Sequence, residues 1–175
     1  MFAVVKRLWR RDEGSALVEA TIITPVLLTL FLGVFEFSWY FYNQQLVEAG
    51  VRDAARFMAR IRLTGGTTDP CSQNDANGYS YKIDAGCIAT NASVATSATS
   101  CGGAARVSGW TYNQVSSNIQ CLASPTGSFV DGATTMTIIY VTTTVADPSL
   151  GFFSTLGLTA PSITVTHQER YIGPG

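Results

Sequence analysis

Charge is scarce in this chain. Of its 175 residues, 11 are Lys or Arg and 12 are Asp or Glu, 13% in all, against roughly a quarter in ordinary soluble domains. The formal net charge of −1 leaves no basic surface for a phosphate backbone, so nucleic acid is excluded as a partner. Histidine occurs once, at His167. Gly-x-Ser-x-Gly, Walker A, HExxH and GxGxxG are all missing, and with them the usual scaffolds for acyl transfer, nucleotide binding and zinc hydrolysis. No catalytic residue, cofactor or metal is therefore expected, and the chain is read as a non-enzyme. The 16 glycines follow no period, which excludes collagen, and an apolar share of 46% excludes disorder.

Cysteine is absent from the first 70 residues and then appears at Cys71, Cys87, Cys101 and Cys121. These gaps fit no CxxC pair, zinc ribbon or redox motif. An even number of cysteines in a polar, loop-rich region behind an apolar N-terminal segment reads as two disulfides in an oxidising compartment. Spacing leaves all three pairings open.

The charges that do occur are unevenly spread. Residues 1–62 hold eight basic and six acidic side chains, and residues 63–175 hold three basic and six acidic among many Ser, Thr, Asn and Gly. The chain divides near Leu63, where Thr64-Gly65-Gly66-Thr67-Thr68-Asp69-Pro70 makes a flexible break.

Lys6, Arg7, Arg10 and Arg11 precede Asp12 and Glu13, and Ser15 to Phe35 is then a run of 21 residues with one charge, Glu19. As helix, such a run just spans a hydrocarbon core of about 30 Å. The basic cluster on its N-terminal side predicts a cytoplasmic start and an exported remainder. Trp39, Tyr40 and Tyr42 follow where an aromatic belt meets the outer interface. A cleaved secretory signal has an apolar stretch of only about 7–15 residues, and a buried helix of a soluble protein needs no basic leader. A membrane anchor is the expectation.

Glu19 is the informative residue, because a carboxylate inside a bilayer costs a few kcal/mol unless it is interfacial, protonated or paired. The string Gly14-Ser15-Ala16-Leu17-Val18-Glu19 places a Gly–Ser bond at the membrane edge and a carboxylate one turn inside. Pro25 removes a backbone hydrogen bond and is expected to kink the span. Glu36 falls at or beyond the outer interface, where a charge is cheap. Beyond it, Tyr40, Gln44, Val47, Val51, Ala54, Met58 and Ile61 recur at spacings of four and three, a heptad-like stripe. That stripe packs either on the protein's own globular part or on another subunit. Glu48, Arg52, Arg56 and Arg60 form a separate row, in which Glu48 and Arg52 have the favourable polarity for an ion pair. One helix from Ser15 to about Ile61 is expected.

The segment 7–62 resembles the N-terminal region of the TadE-like family, minor pilins or pseudopilins of the tight-adherence (Tad/Flp) type IV pilus system. Gly14-Ser15-Ala16-Leu17-Val18-Glu19, Pro25, Gly33-Val34-Phe35-Glu36-Phe37 and Ala54-Ala55-Arg56 carry the resemblance. It implies a basic leader over 1–14, cut by a prepilin peptidase between Gly14 and Ser15. It implies a transmembrane helix over 15–42, a periplasmic helix extension over 43–63 and a periplasmic head over 64–175. Glu19 would serve subunit assembly by pairing with the new Ser15 ammonium of a neighbour. The implied partners are the peptidase, other minor pilins, the major Flp-type pilin, the inner-membrane assembly platform and membrane lipid. The alternative is an uncleaved, membrane-anchored envelope binding module.

In the C-terminal part, Thr134–Val145 is almost wholly β-branched or aromatic and predicts a strand with Ile139, Val141 and Val145 on one face. Ser162–Ile172 alternates, with Ile163, Val165, His167, Glu169 and Tyr171 sharing a face and the Ile163 end buried. The two are expected as antiparallel neighbours, broken by Asp147-Pro148 and joined by an apolar connection (Phe152, Phe153, Leu156, Leu158) that covers the sheet. The distal half of the long helix is expected across one sheet face. Tyr79–Ile83 and Val107–Tyr112 are weaker strand candidates, and Val115–Leu122 a short helix. Residues 89–105 are too small and polar for a core and read as a surface loop tied by Cys87 and Cys101. The fold class is α+β: a long N-terminal helix, then a small head with an antiparallel sheet and disulfide-tied loops. His167 and Glu169 share a strand face without any nucleophile. Gln73 to Gly78 with Asp84 echoes a calcium loop faintly, but Gln73 replaces its first carboxylate, so a polar turn is expected.

Overall fold

The computed structural model describes residues 12–65, 69–124, 136–146, 150–155 and 157–173. The basic cluster 6–11, part of the break after Leu63, Thr134, Asp147-Pro148 and Leu156 lie outside them. Helix α1 spans Asp12–Ala59, about 72 Å at the α-helical rise. Pro25 lies inside it without ending it. Thr21, Thr24, Thr29 and Ser38 each donate their hydroxyl to a carbonyl three or four residues earlier, which satisfies these polar groups within an apolar stretch.

A 3-10 turn at Pro70–Ser72 follows, then α2 (Tyr81–Asn91), the hairpin β1 (Ala95–Ser97) and β2 (Ser100–Cys101), and α3 (Asn113–Ser116). The chain closes with β3 (Ile119–Ser124), β4 (Met136–Ala146), α4 (Phe152–Thr155) and β5 (Ser162–Arg170). Strands β3, β4 and β5 form one antiparallel sheet in that order. Its register sets Ile119 opposite Val141 and Val145 opposite Ile163. The head is α+β, with the two expected strands as antiparallel neighbours.

The core forms where the distal half of α1 meets α2, β4 and β5. Val47, Val51, Ala54, Ala55 and Met58 of α1 are fully buried, together with Ile139 and Val141 of β4, Ile163 of β5 and Ala85 and Ala89 of α2. The heptad stripe is therefore used within the chain itself. Its register differs by one residue at the near end, where Asn43 is buried and Gln44 is only partly so. Close approach of α1 to α2 depends on Gly50. A Cβ there would run into the Ala89 carbonyl oxygen and come to 2.8 Å from Cη2 of Trp110.

Buried polar groups are matched. The Trp110 indole N–H donates to Thr143 Oγ1 at 3.0 Å, and Thr143 is fully buried on the inner face of β4. The Asp84 carboxylate accepts from the Ala95 N–H at 2.9 Å, tying α2 to β1. Burial raises the Asp84 pKa above the ordinary carboxylate value; the Ala95 hydrogen bond opposes that shift and the Asp75 charge adds to it. The residues after β5 return to the end of α1. Ile172 and Gly173 donate their N–H groups to Ala59 O, and the Tyr171 hydroxyl donates to Ile61 O at 2.9 Å. These bonds satisfy carbonyls that a helix C-terminus leaves open. Burial raises the Tyr171 pKa.

The four cysteines pair as Cys71–Cys121 and Cys87–Cys101. The first ties the turn after α1 to β3, and the second ties α2 to β2. Four expectations need correction. Within Tyr79–Ile83 a helix starts at Tyr81, because Ser80, bridged to Asn74, caps it by accepting from the Lys82 N–H, and the small residues beyond suit a close helix pair. Val107–Tyr112 is a turn: Trp110 N–H bonds Val107 O, Gly109 has φ +79°, and Val107 and Trp110 both point inward. Within Val115–Leu122 the helix stops at Ser116, and pairing with β4 makes a strand from Ile119. Residues 89–105 carry a hairpin, and their small side chains do enter the core at Ala89 and Ala95.

Candidate functional site

The largest unpartnered feature is the near half of α1. Its large apolar side chains from Leu17 to Phe35 are all exposed, Leu17 by 67% and Leu28 by 57%, whereas Val47 and Met58 further along are at 0%. By length and composition this helix is apolar enough to cross a membrane, and none of its most apolar window is covered by the head. A helix stretch apolar all round, with none of the described residues packed on it, suits an apolar surrounding.

The Gly14–Ser15 peptide lies in the first turn of α1, where N–H groups have no acceptor within the helix. Glu19 is exposed a turn further in. Among the described residues no cation stands beside it, so the structure leaves its carboxylate available to a group from outside the chain.

The far end of the apolar stretch is marked by Glu36. It is only 2% exposed, and its Oε1 accepts from the Leu150 N–H at 3.0 Å. This corrects the expectation of a solvated charge, because the β4–β5 connection returns to cover it. That connection was expected over the sheet. Its described contacts are instead with α1, the Phe153 ring meeting the Phe37 ring edge-to-face at 6.1 Å between centroids. Trp39, Phe41 and Tyr42 follow as exposed aromatics, Trp39 and Tyr42 within 5.8 Å of each other. Asn43 then begins the buried stripe, its amide donating to Trp39 O.

Elsewhere several of the described polar groups pair within the chain. Arg52 and Glu48 pair at 2.7 Å on the exposed row, as their spacing predicts. Arg106 reaches Asp53 at 2.9 Å and pins the loop before α3 to α1, a long-range pair that sequence gave no sign of. His167 Nε2 lies 3.4 Å from Glu169 Oε2, with no nucleophile described beside them. The Asp75 carboxylate accepts from the Asn77 and Tyr79 N–H groups, so the faint calcium-loop echo is a hydrogen-bonded turn. Asp69, Cys71 and Cys121 place ligand atoms within 4.8 Å of one another. Both sulfurs are joined in the disulfide and the Asp69 carboxylate accepts from Cys71 N–H, which leaves no thiolate to bind a metal.

No curated protein and no solved structure matches the chain. The family model described as TadE-like protein matches residues 14–56, a range that runs from the first turn of α1 through the uncovered apolar stretch and into the core of the head. The helix over residues 14–56 is thus similar to that of the TadE-like family.

Proposed function

We propose that this protein is a structural minor pilin, or pseudopilin, of a Tad/Flp-type pilus assembly machine, and not an enzyme. It sits in a bacterial inner membrane as a single-pass protein, with residues 1–14 cytoplasmic and the head periplasmic. A prepilin peptidase cuts between Gly14 and Ser15. The apolar half of α1 then packs with the helices of other minor pilins and the major Flp-type pilin, on the inner-membrane assembly platform. The observation that carries the reading is the exposed apolar surface from Leu17 to Phe35, within a helix matched over 14–56 by the TadE-like model.

Glu19 gives the packing its register. Cleavage creates an ammonium at Ser15, and an ion pair between it and Glu19 of a neighbour is stronger in lipid than in water. A subunit seated out of register leaves that carboxylate unpaired, at a cost below the about 2.5–3.5 kcal/mol of a charge at the bilayer centre because Glu19 lies near the membrane edge. Glu19→Ala is expected to abolish co-purification with the other pilins while leaving the melting of the head unchanged. Unchanged co-purification would remove the register role. The mass of the protein from a peptidase-positive host is the second measurement. A chain beginning at Ser15 supports processing, and one that keeps residues 1–14 with function intact supports a tethered binding module.

A further inference from the structure

We infer that the β4–β5 connection is a second membrane contact, its exposed leucines lying in the outer interfacial layer of the bilayer beside the exit of α1. The inference rests on the membrane-anchor reading of α1 and adds to it a lipid-binding surface on the head.

Two contacts fix the connection to one level of the helix: the Leu150 N–H on the buried Glu36 carboxylate, and the Phe153 ring against Phe37. Glu36 lies about 30 Å along the axis from Ala16, the thickness of a hydrocarbon core, and about 10 Å short of Asn43, where the head's buried stripe begins. The connection thus reaches past the rest of the head toward the membrane side. It does so with apolar groups outward, Leu150 being 60% and Leu158 56% exposed. Residues 150–161, the part of the connection after Asp147-Pro148, contain no Asp, Glu, Lys or Arg, so no formal charge in that part resists transfer from water. It meets α1 at Phe37 through Phe153, and Phe37, like Phe35 and Phe41 of the same helix, is more than half exposed. Apolar side chains at this level, with an aromatic belt alongside, suit the boundary between headgroups and acyl chains. Glu36 fits the same placement. A carboxylate at that boundary loses water, and the Leu150 N–H supplies a hydrogen bond in its place.

The test places a diazirine analogue of leucine at one position at a time in the full chain, reconstituted in phosphatidylethanolamine–phosphatidylglycerol vesicles. The positions are Leu28 in mid-span, Leu158, and Ile172. Ile172 is 66% exposed, and its backbone is bonded to Ala59 at the far end of α1. After illumination, phospholipid adducts are expected at Leu28 and Leu158, with loss of the adduct at Ile172. Lipid at Leu28 but not at Leu158 overturns this inference and leaves the anchor intact. No lipid at Leu28 overturns the anchor and the inference together. Lipid at all three positions, or a cross-link from Leu158 to a second copy of the chain, also overturns it, the latter by making the patch a subunit interface.

Discussion

The two halves of α1 share one backbone and differ in almost everything else. From Leu17 to Phe35 the large side chains other than Glu19 are apolar and exposed, and Glu36 is buried; from Asn43 to Ala59 a stripe of Val, Ala, Gly and Met is buried and the charges line the other faces. The first half asks for a surrounding that the described residues do not supply. The second half finds its surrounding in α2, β4 and β5. A single helix thus carries two solvents' worth of pattern, and the change occurs within the two turns between Glu36 and Asn43. The lesson is that burial here is decided by position as much as by apolarity: Leu17 to Phe35 stay outside, while Leu46 and Phe57 pack against the core and Gly50 allows the Ala89 backbone to come close.

Removing a cross-link from the head is expected to break the comparison most severely. On the chain-entropy account, replacing Cys71 and Cys121 by Ser costs about 4 kcal/mol, and replacing Cys87 and Cys101 about 3 kcal/mol, because the sequence separations are 50 and 14. Chemical denaturation followed by Trp110 fluorescence measures both, and equal losses would contradict the loop-length ordering. The apolar half of α1 should remain helical in lipid throughout, as its hydrogen bonds do not depend on the head.

The two glycines within α1 beyond its first turn sharpen the contrast. A Cβ at Gly33 meets nothing within 4 Å, whereas one at Gly50 strikes the Ala89 backbone. Gly50→Ala is expected to destabilise the head by about 2–3 kcal/mol through overpacking. Gly33→Ala should leave head stability unchanged and strengthen the helix by up to about 1 kcal/mol. Thermal melts of the two variants side by side check this, and an equal fall in both would mean that the near half also packs on the head.

Thr143→Val tests a polar contact in the same core. It keeps the shape but leaves the buried Trp110 indole N–H without its acceptor, at a cost of about 1–3 kcal/mol. The smallest effect is expected at Asp84. Its pKa is raised in the folded state, so the folded form holds its proton more tightly than the unfolded chain does. Stability from this group is full below about pH 4, the unfolded value, and declines as pH rises through the folded pKa. Asp84→Asn keeps an acceptor for the Ala95 N–H and removes the charge. Melts across that range should show the decline in the parent and a flatter profile in the variant, with no loss of stability at neutral pH.

Much of this was legible from local pattern. The helix, its apolar run, the Glu48–Arg52 pair and the two long strands follow from periodicity and β-branching. Spacing alone allows three cysteine pairings; the reading of 89–105 as a loop tied by Cys87 and Cys101 matches one disulfide, and only the fold brings Cys71 to β3. The errors share a cause. Tyr79–Ile83 and Val107–Tyr112 are short stretches in which a cap and a glycine turn outweighed residue preference. Glu19 stands out in the sequence because bilayer cost makes a lone carboxylate conspicuous, and the cut between Gly14 and Ser15 and the register role of Glu19 belong to the proposal. The cover over Glu36 was missed, as its donor is a backbone N–H 114 residues away that no side-chain pattern records.

By itself the sequence determined what is local or solvent-driven: a helix long enough to span, a basic start, an isolated acid near its beginning and an alternating pair of strands. Each follows from the chemistry of neighbouring residues meeting water or lipid. Tertiary structure alone decided which helix face the head covers, which cysteines meet and which level of α1 the β4–β5 connection reaches. Those outcomes depend on fitting distant segments into one volume at close-packed density, and a single chain of letters holds no record of which segments come within reach of each other.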